Sequence, residues 1–106
     1  MLEYKLNKNE GRMLHSLLGK VLNHFELTLK QFGLYADTLC IYDMLDTNNF
    51  EKLEFEKVTF ETKEDIRDGV IALNMVMSYT DLVCISEIVD IDNLISTMCI
   101  DLYEKI

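Results

Sequence analysis

The chain has 106 residues, 49% of them hydrophobic and 27% charged, and a formal net charge of −9 at pH 7. That length holds one domain, 1–106, able to bury a core without metal or disulfides, and the composition excludes a disordered chain. Proline is absent and there are only four glycines, which argues against a sandwich of many short strands and for long helices.

Residues 1–6, MLEYKL, alternate, with Leu2, Tyr4 and Leu6 on one side. That is a short strand pattern. A helix is predicted over 8–32. Asn7 can cap it and Glu10 stands at the capping-box position. Leu14, Leu17, Leu18, Val21, Phe25, Leu29 and Phe32 then recur at three- and four-residue steps. Gly33 suits the left-handed position after the helix, where Leu34 can touch Leu29 in a Schellman motif. YADTLCIYDMLD follows as a short helix with Leu39, Tyr42 and Leu45 facing the first one, and DTNN, 46–49, is a turn by composition.

Residues 50–62 are β-branched and aromatic enough to be extended. Their apolar parity switches between Leu53 and Phe55 on one side and Val58 and Phe60 on the other, which implies a bulge. Such a strand, 52–60, can pair with residues 1–6. Thr62 caps another helix, with Asp65 at the capping-box position and Ile66, Val70, Leu73 and Met77 on one face. Residues 81–88 fit a short helix or a strand. A last helix starts near Asp90 or Asp92 and carries Ile91, Leu94, Ile95, Met98, Leu102 and Ile106 on one side. The fold class is therefore mostly α: a bundle of four to five helices, with a small β-ribbon from residues 1–6 and 52–60.

The stretch 69–89 is the most apolar in the chain, yet Asn74, Ser78, Thr80, Asp81, Ser86 and Glu87 interrupt it. A carboxylate near its centre would be expensive in hydrocarbon, so no membrane span is expected. A helix apolar on most sides is either central in a core or shared between chains. In a domain this small the second reading makes Val70, Leu73, Asn74, Met75, Met77 and Tyr79 an oligomer interface, with a homodimer expected and Asn74 fixing register as a buried Asn does in a coiled coil. The first reading makes the same residues core.

Cys40, Cys84 and Cys99 form no CxxC pair, and the first residues carry no apolar run of the kind a secretion signal needs. An odd number of thiols without that signal points to the reducing cytoplasm. His15 and His24 lie nine residues apart on one helix, which projects them to opposite sides. Neither has a His or Cys one turn away, and DIDN, 90–93, lacks the Gly and Glu of a calcium loop. No metal or cofactor is expected. With no GxSxG, P-loop or GxGxxG either, a non-enzymatic protein is expected.

Charge is uneven along the chain. Residues 1–34 carry five bases against three acids, giving +2, and residues 35–106 carry five against sixteen, giving −11. So acidic a surface disfavours direct nucleic-acid binding, which needs phosphate contacts from Lys or Arg. It favours a basic protein partner. Nine acids in one 26-residue stretch are the candidate partner-binding residues: Asp43, Asp46, Glu51, Glu54, Glu56, Glu61, Glu64, Asp65 and Asp68. In size and charge the chain is similar to immunity-type proteins and to phage- or mobile-element-borne inhibitors of nucleases, a likeness of composition with no shared motif. The expectation is an acidic protein-interaction module, in sharper form an inhibitor of a basic nucleic-acid-handling protein. The alternative is a homo-oligomeric structural or assembly protein whose interface is the apolar helix at 70–79.

Overall fold

The chain opens as strand β1 (Leu2–Asn7), and its last residue is already the cap of the next element. Asn7 Oδ1 accepts from the Glu10 N–H at 2.8 Å while Glu10 Oε1 accepts from the Asn7 N–H at 2.9 Å. This reciprocal box satisfies two donors that helix α1 (Lys8–His24) would otherwise leave open. The computed structural model describes residues 1–45, 55–83 and 88–106.

The helix expected over 8–32 is broken in two. Phe25 leaves helical geometry at φ −124° and ψ 27°, and a short helix α2 (Glu26–Gln31) continues beyond it. Backbone hydrogen bonds persist across the break, from Phe25 N–H to the Val21 carbonyl and from Leu29 N–H to the Phe25 carbonyl. The bend coincides with a stacked ring pair, Phe25 on Tyr79, whose centroids are 4.2 Å apart and whose planes differ by 8°. The expected Schellman ending is present. Gly33 has φ +70°, Leu34 N–H donates to the Leu29 carbonyl, and Gly33 N–H donates to the Lys30 carbonyl.

Helix α3 (Tyr35–Met44) packs back on α1 as expected, with Tyr42 against His15 and Leu45 buried, while Thr38 and Ile41 are buried in place of Leu39. Thr38, Ile41 and Leu45 are its buried side. Thr38 tolerates burial because its hydroxyl donates to the Leu34 carbonyl at 2.7 Å. Tyr42 is only half-buried, stacked on His15.

Strand β2 (Phe55–Phe60) pairs antiparallel with β1, in a register that runs unbroken from Leu2 opposite Phe60 to Asn7 opposite Phe55. No bulge interrupts it among the described residues. The even positions Glu56, Val58 and Phe60 face inward, and Phe55 faces out, where Lys5 and Lys57 lie over its ring at 4.8 and 5.8 Å. Helix α4 (Lys63–Met77) begins with a second capping box, between Thr62 and Asp65. A 3₁₀ turn (Thr80–Val83) follows, and helix α5 (Ile88–Tyr103) completes the bundle, antiparallel to α4. It starts before either acid proposed to cap it. Asp92 instead accepts from the Thr80 hydroxyl at 3.0 Å and ties α5 to the turn.

Among the described residues the fold is thus a mostly α bundle of five helices with a two-stranded ribbon on one side, touching α1, α3 and α4. One core holds it together, built from Leu14, Leu17, Leu18 and Val21 of α1, Leu73 and Val76 of α4, and Ile91, Ile95 and Met98 of α5. Among the described residues no helix is long and apolar enough to cross a membrane.

Candidate functional site

Glu61 opens the link from β2 to α4, and Asp65 and Asp68 occupy the first turns of α4. Across from them stands Asp37 in the first turn of α3. Between the two helices lies a cleft of about 260 Å³ whose rim is formed by Asp37, Glu61 and Asp65. Its floor is apolar: Ile41, Phe60 and Gly69 are all buried. Met44 forms one wall, held by its sulfur, which accepts from the Thr59 N–H at 3.3 Å and from the Thr59 hydroxyl at 3.4 Å.

The acids here act on one another. The Asp37 carboxyl is raised above the usual carboxylate range, first by its partial burial and then by the negative charges of Asp68 and Asp65. Lys30 pairs with Glu26 and Lys57 with Glu3, neither of them at the cleft. Asp65 spends one oxygen on its helix cap, accepting from the Thr62 N–H at 3.2 Å. The result is a hollow with an apolar base and an uncompensated negative rim. Chemically it suits a long apolar stem that ends in a cation, as in Lys or Arg.

The nine acids singled out in the sequence therefore scatter. Glu61, Asp65 and Asp68 come together, joined by Asp37, which sequence reasoning passed over. Its only signal was a first-turn acid on a short helix, and the partners that matter lie on an element some thirty residues further on. Asp43 and Glu64 are exposed but do not line the cleft. Asp46, Glu51 and Glu54 lie outside the described residues. Glu56 is not at the surface at all. It is 4% exposed, because the strand register turns it inward beside Val58, so it belongs to the interior and not to an acidic face.

The residues expected to form an oligomer interface divide as well. Leu73 is 0% exposed and Val70 8%, and both belong to the chain's own core. Met75, Met77 and Tyr79 are half-buried and packed against that core, with Met77 sulfur accepting from the Ser96 hydroxyl and Tyr79 held by Phe25. Asn74 is exposed on the single chain, where it borders a surface hollow with Val70, Cys99 and Tyr103. Helix α4 is apolar nearly all round because α1, α3, β2 and α5 surround most of it.

His15 stacks on Tyr42 at 4.2 Å and His24 is exposed, and instead of facing opposite sides both border one shallow hollow along α1 with Gly19 and Asn23. Among the described residues no three His, Cys, Asp or Glu side chains are placed to hold one metal ion. Comparison with protein-family models, with curated proteins and with solved structures finds no match.

Proposed function

We propose that this chain is a non-enzymatic interaction module that binds a basic protein partner, seating a Lys or Arg side chain of that partner in the cleft between α3 and α4. The observation that carries the reading is the cleft itself: an apolar floor under carboxylates drawn from α3, α4 and the link before α4. A cationic side chain would relieve the repulsion that raises Asp37, while its methylene stem would cover Ile41 and Phe60. The net charge of −9 would steer such a partner from a distance and disfavour phosphate-bearing competitors. In its sharper form the module is an inhibitor or immunity-type protein of the cytoplasm, placing carboxylates where a nucleic-acid-handling protein expects phosphates.

The test is a titration followed by backbone amide NMR, with a short Arg- and Lys-containing peptide as ligand, at low and high salt. Shifts concentrated at Asp37, Cys40, Glu61 and Gly69 are expected, weakened by salt and lost in Asp37→Lys/Asp68→Lys. Even shifts over the whole acidic surface, or an undiminished response in the double variant, would sink the reading. Pull-downs from host lysate with the wild type and the double variant side by side would then name the partner, as the protein retained by the first and not by the second.

A further inference from the structure

On the far side of α4 from the cleft, the α4–α5 hairpin carries two hollows. One, of about 360 Å³, is bordered by Arg67, Val70, Ile71, Tyr103 and Ile106. The other, of about 380 Å³, is bordered by Val70, Asn74, Cys99, Ile100, Tyr103 and Glu104. They share Val70 and Tyr103, so they form one groove with a saddle in the middle. Large apolar side chains stand out of the same face: Ile71 is 48% exposed, Ile100 61% and Tyr103 70%. Knobs and holes thus occur on a single patch.

The charge of this patch sets it apart from the rest of the molecule. The exposed side chains that border the groove, besides Arg67 and Glu104, are Ile71 and Asn74 on α4 and Ile100 and Tyr103 on α5, none of them charged. Arg67 supplies one positive charge and Glu104 one negative. The groove is therefore neutral on a chain of net charge −9. A cationic partner is drawn to the acidic cleft and not to this face. A second copy of the chain is repelled by most of the surface and meets no net repulsion here.

We infer that this groove is the interface of a two-fold homodimer. An isologous interface must be complementary to itself, and this one has the required pattern. Arg67 borders only the first hollow and Glu104 only the second, with Val70 and Tyr103 between them. A two-fold axis through the saddle exchanges the two hollows. It brings Arg67 of one copy toward Glu104 of the other twice over, while Ile71 and Ile100 reach the hollows of the opposite copy. The inference concerns the protein alone and is independent of what the acidic cleft binds.

Sedimentation equilibrium of the purified chain over a range of concentrations tests it. The expected result is a mass that rises from 12.4 kDa to twice that value. Ile100→Asp and Tyr103→Asp should each weaken association by about tenfold or more, as expected for an unpaired charge in an interface core. Arg67→Glu and Glu104→Arg should each weaken it, and the double swap should restore it. Leu82→Asp, at an exposed apolar position away from the groove, should leave the mass unchanged. All five positions are at the surface, and thermal melts by circular dichroism confirm that the variants fold. A monomer at every concentration would overturn the proposal. So would a dimer indifferent to Ile100 and Tyr103, or a double swap that fails to recover association.

Discussion

Gly69→Ala sets two well-known effects against each other at the floor of the cleft. In an open helix, replacing Gly by Ala gains about 1 kcal/mol. At Gly69 an added Cβ would lie 2.6 Å from Phe60 Cε1 and 3.3 Å from Cζ. Carbon atoms rest at roughly 3.5–4.0 Å, so the ring must move by about an ångström. Phe60 has little freedom to do so. It is buried, and its backbone is fixed in the ladder opposite Leu2. Overpacking of this kind costs roughly 1–3 kcal/mol. The cost outweighs the helix gain, and the expected net loss is about 1 kcal/mol, or a few degrees in Tm for a domain of this size. Gly19→Ala supplies the contrast. There the new Cβ would meet Tyr42 Cε2 at 3.1 Å, on a half-buried ring that can give way by a few tenths of an ångström. That variant should be neutral or slightly more stable. Urea and thermal unfolding of both variants decide the matter. A Gly69→Ala protein more stable than the parent would refute the reasoning, because it would mean that Phe60 does not rest on Gly69.

Two further perturbations probe the charges and the ties between elements. Asp37→Asn should raise stability near neutral pH. The folded-state carboxyl is raised by burial and by Asp68 and Asp65, so its ionised form weakens the fold above the carboxylate range, and that loss disappears as pH falls through the raised value. The wild-type and variant urea midpoints should therefore converge on acidification, and a variant less stable at neutral pH would count against the repulsion. Tyr4→Phe removes a hydrogen bond of 2.8 Å from the phenol to Asp101 Oδ2, which joins β1 to α5 across 97 positions of sequence. A loss of about 1 kcal/mol is expected for this partly buried bond. The phenol is held well above its usual range by desolvation and then by Asp101. The wild type should accordingly lose stability as pH rises past about 10, a slope that Tyr4→Phe should lack. An unchanged urea midpoint in the variant would show that the bond contributes nothing.

What could be read in advance follows from where the information lies. Both capping boxes and the Schellman ending at Gly33 are written within six residues of chain, and each forms as its residue types dictate. The ribbon was legible because residues 1–6 alternate and a second extended segment was present to pair with them. The bend at Phe25 was not, because the ring that stacks on it there comes from 54 positions away. The parity of β2 misled for a specific reason. An aromatic at 55 and an acid at 56 invite the opposite orientation, but burial of Val58 and Phe60 sets the parity, and Lys5 and Lys57 cover the outward ring of Phe55. Glu56 was misplaced with it. The cleft could be anticipated in part, since Glu61 and Asp65 are neighbours in sequence. Its third rim acid, Asp37, joins them only through the packing of α3 on α4.

Helix α4 explains why the most apolar part of the chain resisted a single assignment. The alternatives of core and interface suppose one role for the whole helix, but the side chains around it divide. At 100° per residue Asp65 and Asn74 lie half a turn apart. The flank with Asp65 and Gly69 forms a wall of the acidic cleft, and the flank with Val70 and Asn74 borders the neutral groove against α5. Between them Ile66, Leu73 and Val76 fill the core. Hydrophobic periodicity registers only the last of these as a helix face, and the exposed Ile71 then looks like a widening of the same stripe. The acids also divide. Asp37, Glu61 and Asp65 line the cleft, whereas Arg67 and Glu104 are the charged side chains in the lining of the groove. A paired molecule built through the groove would therefore keep both clefts open to a basic partner, so self-association and partner binding need not compete for the same helix.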